Sequence, residues 1–278
     1  SVNMLYSWVL VFLLIGVGIA ITVYLGFPQI KNARDIFHSV SGSRTQVLQG
    51  VTSFQAFAVG IGTRVGIGNI AGVALALVMG GPGAIFWMWI VALVGMATSF
   101  AESVLAQVFK EKHPDGVFRG GPEYYMRKGL GWKKAGIIFA VISVVASGLA
   151  VPMVQINTVA ATFSANHDIS PYSTMLFTFL LLAPVILGGI KSVARASEYL
   201  APIMAAVYIL IAIVVIVLNP AAVLAALVLI IKSAFGFGPI AGGILGGIFI
   251  ALVNGARRGL FSNEAGLGTT PHAAGSAT

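Results

Sequence analysis

Residues 60–72 combine glycines with two polar side chains, Arg64 and Asn69, inside an otherwise apolar stretch. Four of the glycines lie within nine residues, at positions 60 to 68, and each weakens a helix by about 1 kcal/mol relative to alanine. We therefore expect the helix to be interrupted here. Unwound backbone in a membrane must line a protein-enclosed cavity. Its carbonyls can then coordinate a cation, and the amides of the next helix can bind an anionic group.

Residues 60–72 have two other interpretations. Closely spaced glycines also let two membrane helices pack tightly, which would give the segment a purely structural role. The spacing superficially resembles a dinucleotide-binding fingerprint. However, no strand precedes it and no acidic residue follows at the required distance, so that interpretation fails.

A second interruption is predicted at residues 257–268, where an apolar run ends in small and polar residues. Thr269, Thr270 and Pro271 follow and could open another helix by supplying an N-cap and a proline in the first turn. An ordinary cytoplasmic tail is the alternative, although the segment carries little of the charge that such a tail usually has. Two interrupted helices in corresponding positions are typical of the binding site of a secondary transporter.

The composition indicates the kind of protein that must position these segments. The chain has 278 residues, of which 58% are hydrophobic and only 9% charged, with a mean hydropathy of +0.97. Soluble domains carry about 25% charged residues, so we expect an all-α polytopic membrane protein. The chain contains no cysteine, which excludes disulfides and thiolate chemistry.

Seven apolar segments are candidates for membrane helices, since a span needs about 20 mostly apolar residues. They are residues 4–24, 51–79, 84–101, 135–165, 172–190, 199–218 and 240–256. Residues 220–237 are predicted to form an interfacial or re-entrant helix, and residues 29–40 an amphipathic one. The first span lacks the basic flank and cleavage site of a signal peptide.

The basic residues predict the orientation, because cytoplasmic loops carry an excess of lysine and arginine. They cluster in alternate loops, at Lys31, Arg34, Arg44, Lys110, Lys112, Arg119, Arg127, Lys128, Lys133, Lys134, Lys191, Arg195, Arg257 and Arg258. Lys232 alone lies on the other side, and Arg64 lies within a span. We therefore expect an inner-membrane protein whose N-terminus is outside and whose basic loops are cytoplasmic. This placement accounts for the net charge of +8 without nucleic-acid binding.

Several ordered motifs resemble the alanine or glycine:cation symporter family, the sodium:alanine symporters. They occupy residues 66–73, 80–89, 95–98, 101–102, 120–122, 124–125, 188–191 and 258–268. The resemblance implies a five-plus-five inverted-repeat (LeuT-like) fold with one extra N-terminal helix.

On this basis residues 1–278 form a single transmembrane domain with the extra helix at 4–27. The first repeat covers 51–238, with its broken first helix at 51–79, and 239–278 hold the first half of the second repeat. We expect the chain to be a fragment of a longer transporter.

The resemblance also implies a binding site. A threonine–glycine pair of the family falls on Ile67 and Gly68, and its glutamine in span four falls on Gln155. The predicted substrate-binding residues are Ile67, Gly68, Asn69, Gln155, Asn157, Phe261, Ser262 and Asn263. Ile67 has no hydroxyl to offer. The sequence therefore indicates the identity of the substrate less firmly than it indicates the family. Pro152 stands where the family has asparagine, so we expect a local change in helix geometry.

The predicted roles follow from these types of side chain. Gly68 and Asn69 are expected to present backbone amides to a substrate carboxylate, with Gln155 as a further polar contact and Phe261 as a wall. Gln155 could instead merely join two helices. Oxygen ligands for Na⁺, a hard cation, are expected at Val65, Gly66 and Asn69.

The other polar and aromatic residues are weaker candidates for functional roles. Arg64 is either functional, as charges within spans usually are, or directed to the cytoplasm. Glu102 either pairs with a cation or merely caps a helix contact. Glu264 either serves the second interruption or lies in a gate. The four histidines, His38, His113, His167 and His272, are scattered, so no metal site other than for Na⁺ is predicted. Trp87, Trp89, Tyr124 and Tyr125 are typical of interface anchors.

The predicted function is Na⁺-coupled uptake of alanine, glycine or both by alternating access, with no cofactor other than the coupling ion. Alternatives are H⁺-coupled transport of another small solute, or an inactive fragment of such a transporter. A channel is disfavoured because no filter repeat is visible. An enzyme is disfavoured because no HExxH motif, membrane aspartate pair or nucleophile with a base partner is present.

Overall fold

The computed structural model describes residues 9–32, 35, 50–237 and 243–278, and helices dominate it. The helices are α1 (Val11–Tyr24), α2 (Pro28–Lys31), α3 (Ser53–Arg64), α4 (Ile67–Gly80), α5 (Gly83–Val108), α6 (Pro122–Lys128), α7 (Lys133–Val145), α8 (Val151–His167), α9 (Pro171–Leu187), α10 (Gly189–Leu218), α11 (Pro220–Ala234), α12 (Gly243–Asn263) and α13 (Thr269–Ser276). A short antiparallel hairpin, β1 (Glu111–Lys112) and β2 (Phe118–Arg119), joins α5 to α6.

The helices confirm an all-α membrane protein. Within the described residues, four helical stretches are long and apolar enough to cross a bilayer: Ser53–Gly80, Gly83–Val108, Lys133–His167 and Gly189–Leu218. Three apolar helices, α1, α9 and α11, are shorter. At 1.5 Å per residue, the 15 residues of α11 extend only about 22 Å, less than the roughly 30 Å of a hydrocarbon core.

The chain divides into two compact units. The first comprises Ser1–His38, Gly68–Ala101 and Ile203–Leu267, and the second comprises Ser39–Ile67, Glu102–Pro202 and Gly268–Thr278. The division passes through both interrupted helices. Consequently α4 and α12 belong almost entirely to the first unit, whereas α3 and α13 belong to the second.

The first unit is held together by close packing of apolar residues on facing helices. Its core includes Val11 of α1, Val91 of α5, and Ala256 and Leu260 of α12, all buried. A Cβ atom added at Gly255 would lie 2.8 Å from the Cβ of Trp87 and closer still to the carbonyl oxygen of Ala84. Only glycine therefore allows α12 to approach α5 this closely.

The second unit has a separate core at the start of α3. Val51 and Ala56 pack with Ala194 of α10 and with Ala277, just after α13. Thr52 and Gln55 form a reciprocal capping box, in which each side chain accepts a hydrogen bond from the other residue's backbone amide, both at 3.1 Å. Such a box satisfies two amides of the first turn, which explains why α3 begins at Ser53.

The fourth predicted span is one helical stretch with a local defect. Ala146–Ala150 form a π turn between α7 and α8, and the amide of Val151 donates to the carbonyl of Ala146. Pro152 lies in the first turn of α8, lacks an amide hydrogen and would clash with the carbonyl four residues earlier in a regular α-helix. We attribute the π turn to this proline, where a change in helix geometry was expected.

Several predicted boundaries differ from those in the structure. α10 begins at Gly189 rather than at residue 199, so it includes charged residues as well as the apolar run. α12 continues to Asn263 rather than ending at residue 256. The first interruption is also shorter than residues 60–72. Parts of three predicted segments lie outside the described residues: 4–8 of the first span, most of 29–40, and 240–242 of the last span.

Candidate functional site

The first interruption consists of Val65 and Gly66, between the last residue of α3 and the first of α4. Val65 leaves the helical conformation with φ −82° and ψ 67°, although its amide still donates to the carbonyl of Ile61 at 2.8 Å. Gly60 and Gly62 remain helical. The interruption was therefore correctly predicted, but it is confined to the two residues expected to offer carbonyls to Na⁺.

Within the first unit, the start of α4 contacts the end of α12. The side-chain amide of Asn69 donates to the carbonyl of Ser262 at 3.5 Å, and the Ser262 hydroxyl donates to Oδ1 of Asn69. A Cβ atom at Gly68 would lie 3.4 Å from the ring of Phe261 and 3.5 Å from the Cα of Ser262. The structure thus brings together four residues that the sequence placed in the site.

Gly68 lies in the first turn of α4, after Ile67. The amides of a helix's first turn have no acceptor in their own helix, and the helix dipole makes this end favourable for an anion. The aromatic ring of Phe261 and the Asn69–Ser262 pair lie beside this turn. The arrangement therefore supplies donors for a carboxylate next to an apolar wall.

The second interruption comprises residues 264–268, after Asn263, the last residue of α12. Glu264, Gly266 and Gly268 have φ values of 54°, 78° and 81°, the left-handed region that favours glycine. The expectation that the interruption begins at Arg257 was wrong, because both arginines and residues 261–263 are helical. α13 does follow, but Gly268 is its N-cap and no side chain caps it. Thr269 and Thr270 lie inside the helix.

Within the second unit, Gln155 of α8 lies against the first interruption. A Cβ atom at Gly66 would be 3.5 Å from Nε2 and 3.7 Å from Oε1 of Gln155. Asn157 lies two residues further on, about 200° around the helix, and is exposed. The structure therefore separates the two amides that the sequence had grouped.

Arg64 joins α3 to α13. Its guanidinium donates to the hydroxyl of Thr270 at 2.8 Å, so the side chain contacts the second interrupted helix. Neither interpretation of Arg64 from the sequence included this contact, because Arg64 and Thr270 are 206 positions apart.

Other polar contacts hold α13 within the second unit, and the sequence reasoning missed them. His272 lies 3.0 Å from a carboxylate oxygen of Glu123 on α6. Lys110, just after α5, donates to the carbonyl of Ala277 at 2.6 Å. Gln107 donates to the carbonyl of Ala274. No local pattern in the sequence could have indicated these pairs, because their members are far apart along the chain.

Two carboxylates in the α5–α7 connection are held in the charged state. Burial disfavours ionisation of Glu123, but the hydrogen bond with His272 and the charge of Arg127 outweigh it, so the pKa of Glu123 is lowered. The pKa of Glu111 is lowered by hydrogen bonds from Lys128 and Arg127. Across the described residues, no three His, Cys, Asp or Glu side chains form a group that could hold a metal ion.

Taken together, these features define a class of protein, an all-α membrane protein with two interrupted helices whose polar residues meet at the interruptions. Comparison with known sequences gives the family. The chain matches the sodium:alanine symporter family over residues 1–278 and belongs to it. Its members are transporters and not enzymes.

Three curated relatives illustrate the range of the family. The amino-acid carrier protein AlsT of Bacillus subtilis is 45% identical over 96% of this chain. The sodium/alanine symporter AgcS of Methanococcus maripaludis is 41% identical over 95% of it. The probable sodium/glutamine symporter GlnT of B. subtilis is 42% identical over 99% of it. The chain spans 57% to 59% of the length of these relatives.

Proposed function

We propose that the protein takes part in Na⁺-coupled symport of small neutral amino acids, alanine, glycine or both, by alternating access. The observation that carries the proposal is the meeting of α4 and α12 through Asn69, Ser262, Gly68 and Phe261. Polar groups are costly inside a membrane and usually mark a substrate or ion pathway. We further propose the inverted-repeat fold, with the N-terminus outside and the basic loops in the cytoplasm.

The carboxylate of the amino acid is proposed to bind the first turn of α4. Gly68 leaves the backbone accessible, since a side chain there would contact Phe261. The helix N-terminus favours the negative charge. Ile67 and Phe261 would bound the aliphatic part of the substrate, and Ser262 and Asn263 would supply further polar contacts. A pocket bounded in this way fits a short side chain.

The coupling ion is proposed to bind backbone carbonyls at the first interruption. Val65 and Gly66 are the two residues between α3 and α4. Asn69 stays a predicted ligand from the sequence. Gln155 lies beside Gly66 and is proposed as a contact of the substrate. Asn157 is left out of the proposal because it is exposed on another face of α8.

A larger neutral amino acid is the second candidate substrate. GlnT is named as a probable sodium/glutamine symporter, and Ile67 replaces a threonine that the family resemblance placed in the site. Since a carboxamide needs hydrogen-bonding partners when it is desolvated, the apolar side chain of Ile67 disfavours glutamine. Competition between the two amino acids distinguishes these candidates.

The direct test is uptake of labelled L-alanine into proteoliposomes that contain the complete gene product, under an inward Na⁺ gradient. We expect accumulation that requires Na⁺, is blocked by excess unlabelled alanine or glycine and is little affected by glutamine. Accumulation driven equally well by a proton gradient in Na⁺-free buffer would contradict Na⁺ coupling. Stronger competition by glutamine than by alanine would contradict the proposed substrate.

The proposed contact at Gln155 is tested with a matched pair of variants. Gln155→Ala is expected to raise the alanine concentration needed for half-maximal uptake about tenfold or more, because a polar contact of a buried substrate is lost. Asn157→Ala removes a carboxamide from the same helix and is expected to leave uptake unchanged. Equal behaviour of the two variants, with both proteins folded, would remove Gln155 from the proposed site.

A further inference from the structure

We propose that the junction of α6 and α7 binds the headgroup of an anionic phospholipid. A groove of about 180 Å³ lies at this junction, and its lining consists of Glu123, Tyr124, Arg127, Lys133, Gly136, Ile137 and Ala140. The proposal depends on the proposed topology only for the leaflet involved, which would be the cytoplasmic one.

The groove exists because α7 approaches the backbone of α6 closely. A Cβ atom at Gly136 would lie 2.9 Å from the carbonyl oxygen of Glu123, so only glycine permits this approach. Gly136 and Ala140 are small and one turn apart, and they leave space between the two helices. The result is a concave site at the very start of a membrane-spanning helix.

Two cationic side chains line this concave site. Arg127 is held in place by Glu111, with a nitrogen–oxygen distance of 2.6 Å, and lies over the ring of Tyr124 at 5.4 Å. A guanidinium has five donors, so its contact with Glu111 leaves others for a phosphate. Lys133 has no carboxylate within ion-pair distance in the part of the chain that the structure describes.

The one acidic residue of the groove does not cancel this charge. Glu123 is engaged by His272 at 3.0 Å. Glu111 contacts both Arg127 and Lys128, so the three positive charges of Arg127, Lys128 and Lys133 exceed the two carboxylate charges by one. Lys133 is also the first residue of α7, the end of a helix at which an anion is favoured.

The apolar side of the groove indicates a lipid as the source of the phosphate. Ile137 is 65% exposed and Trp132, which precedes α7, is 62% exposed. Both lie at the start of the stretch Lys133–His167, which is apolar enough to cross the membrane. Tryptophan is typical of the membrane interface, and basic pockets at that level recognise anionic headgroups. An acyl chain attached to the bound phosphate could lie along Ile137 and Ala140.

Trp132 provides the reporter for the test. The full chain is reconstituted in phosphatidylcholine vesicles that contain phosphatidylglycerol brominated near the headgroup end of its acyl chains. Quenching of tryptophan fluorescence by this lipid is compared with quenching by brominated phosphatidylcholine. The signal of Trp132 is the part that disappears in a Trp132→Phe variant. We expect phosphatidylglycerol to bind about fivefold or more tightly than phosphatidylcholine, since each basic group near an anionic surface contributes roughly that factor.

Two neighbouring lysines give a matched pair of variants. Lys133→Gln is expected to reduce the preference for phosphatidylglycerol about fivefold, whereas Lys134→Gln, which removes the same charge outside the groove, is expected to change it less than about twofold. Both side chains are exposed, so neither variant should unfold. Absence of a preference would overturn the proposal. An equal loss in both variants would also overturn it, because the preference would then come from diffuse surface charge. Displacement by soluble glycerophosphate would overturn the lipid as the occupant. The assay requires no transport, so its outcome is independent of the uptake experiment.

Discussion

The helix pair α4–α12 and the helix pair α3–α13 are joined by different chemistry. In the first pair the contacts are uncharged, made by Gly68 against Phe261 and by Asn69 with Ser262. In the second pair Arg64 donates to Thr270. In addition, each of two contacts that hold α13 to the rest of its unit involves a charged group, the Glu123 carboxylate with His272 and the Lys110 ammonium with a carbonyl.

Because of this difference, we expect the stability of the two helix pairs to depend differently on side-chain volume, salt and pH. Uncharged close packing depends on the volume of each side chain and is insensitive to salt and pH. Charged contacts depend on protonation and, where they are exposed, are screened by salt. We therefore expect changes of side-chain size to act mainly on the first unit, and changes of charge or pH mainly on α13.

The largest expected effect is that of filling a glycine position in the first unit. Gly255→Ala places a methyl group against the backbone of Ala84 and the side chain of Trp87, and overpacking of this kind costs about 1–3 kcal/mol. Gly246→Ala is the control on the same helix, because a Cβ there meets nothing within 4 Å. We expect thermal denaturation in detergent to show a lower midpoint for Gly255→Ala and an unchanged or higher one for Gly246→Ala. Equal midpoints would contradict the close approach of α12 to α5.

The next effect concerns the polar pair of the first unit. Ser262→Ala removes the hydroxyl that donates to Asn69, and a typical hydrogen bond contributes about 1 kcal/mol. A double-mutant cycle with Asn69→Ala should give a coupling free energy of about 1 kcal/mol that is unchanged by added salt. Additive effects of the two substitutions would show that the residues do not interact.

The third prediction concerns pH and the Glu123–His272 contact of the second unit. The pKa of Glu123 is lowered in the folded protein, so its contribution to stability is present above the unfolded value of about 4.3. That contribution is lost as the pH falls through the lower, folded value. We expect the denaturation midpoint of the wild type to fall more steeply than that of Glu123→Gln as the pH drops below about 4.3. Parallel curves for the two proteins would contradict a charged contact.

The smallest effect is expected for an exposed ion pair in the hairpin. Asp115 and Arg119 are 2.7 Å apart, and their side chains are 48% and 53% exposed. Exposed pairs contribute little and are screened by salt. Asp115→Asn should therefore leave the denaturation midpoint unchanged within error. A clear shift would show that charge matters in the hairpin as much as at α13.

The sequence predicted the two interruptions because clustered glycines and polar residues stand out in an apolar chain. It did not predict their limits. Gly60 and Gly62 remain helical, and residues 257–263 continue α12. Helix propensity is a weak prior that tertiary contacts override, and a buried glycine such as Gly255 can serve close packing within a regular helix.

The sequence indicated which residues belong to the site, but it did not indicate which of them contact one another. Gly68, Asn69, Phe261 and Ser262 were all named, yet that Asn69 contacts Ser262, 193 positions away, follows only from the fold. His272 was dismissed as scattered because its partner Glu123 lies 149 positions away. Side chains this far apart share no periodicity, so only packing identifies them as partners.

The proposed function requires that Na⁺ and a small neutral amino acid bind to the protein with mutual dependence. It is tested most directly by equilibrium binding of labelled L-alanine to the purified complete gene product, in Na⁺ and in choline at the same ionic strength. We predict that Na⁺ tightens alanine binding by about 5–150-fold, and that alanine tightens Na⁺ binding by the same factor, as linkage requires. Alanine binding of equal strength in the two buffers would contradict the proposed coupling of alanine to Na⁺.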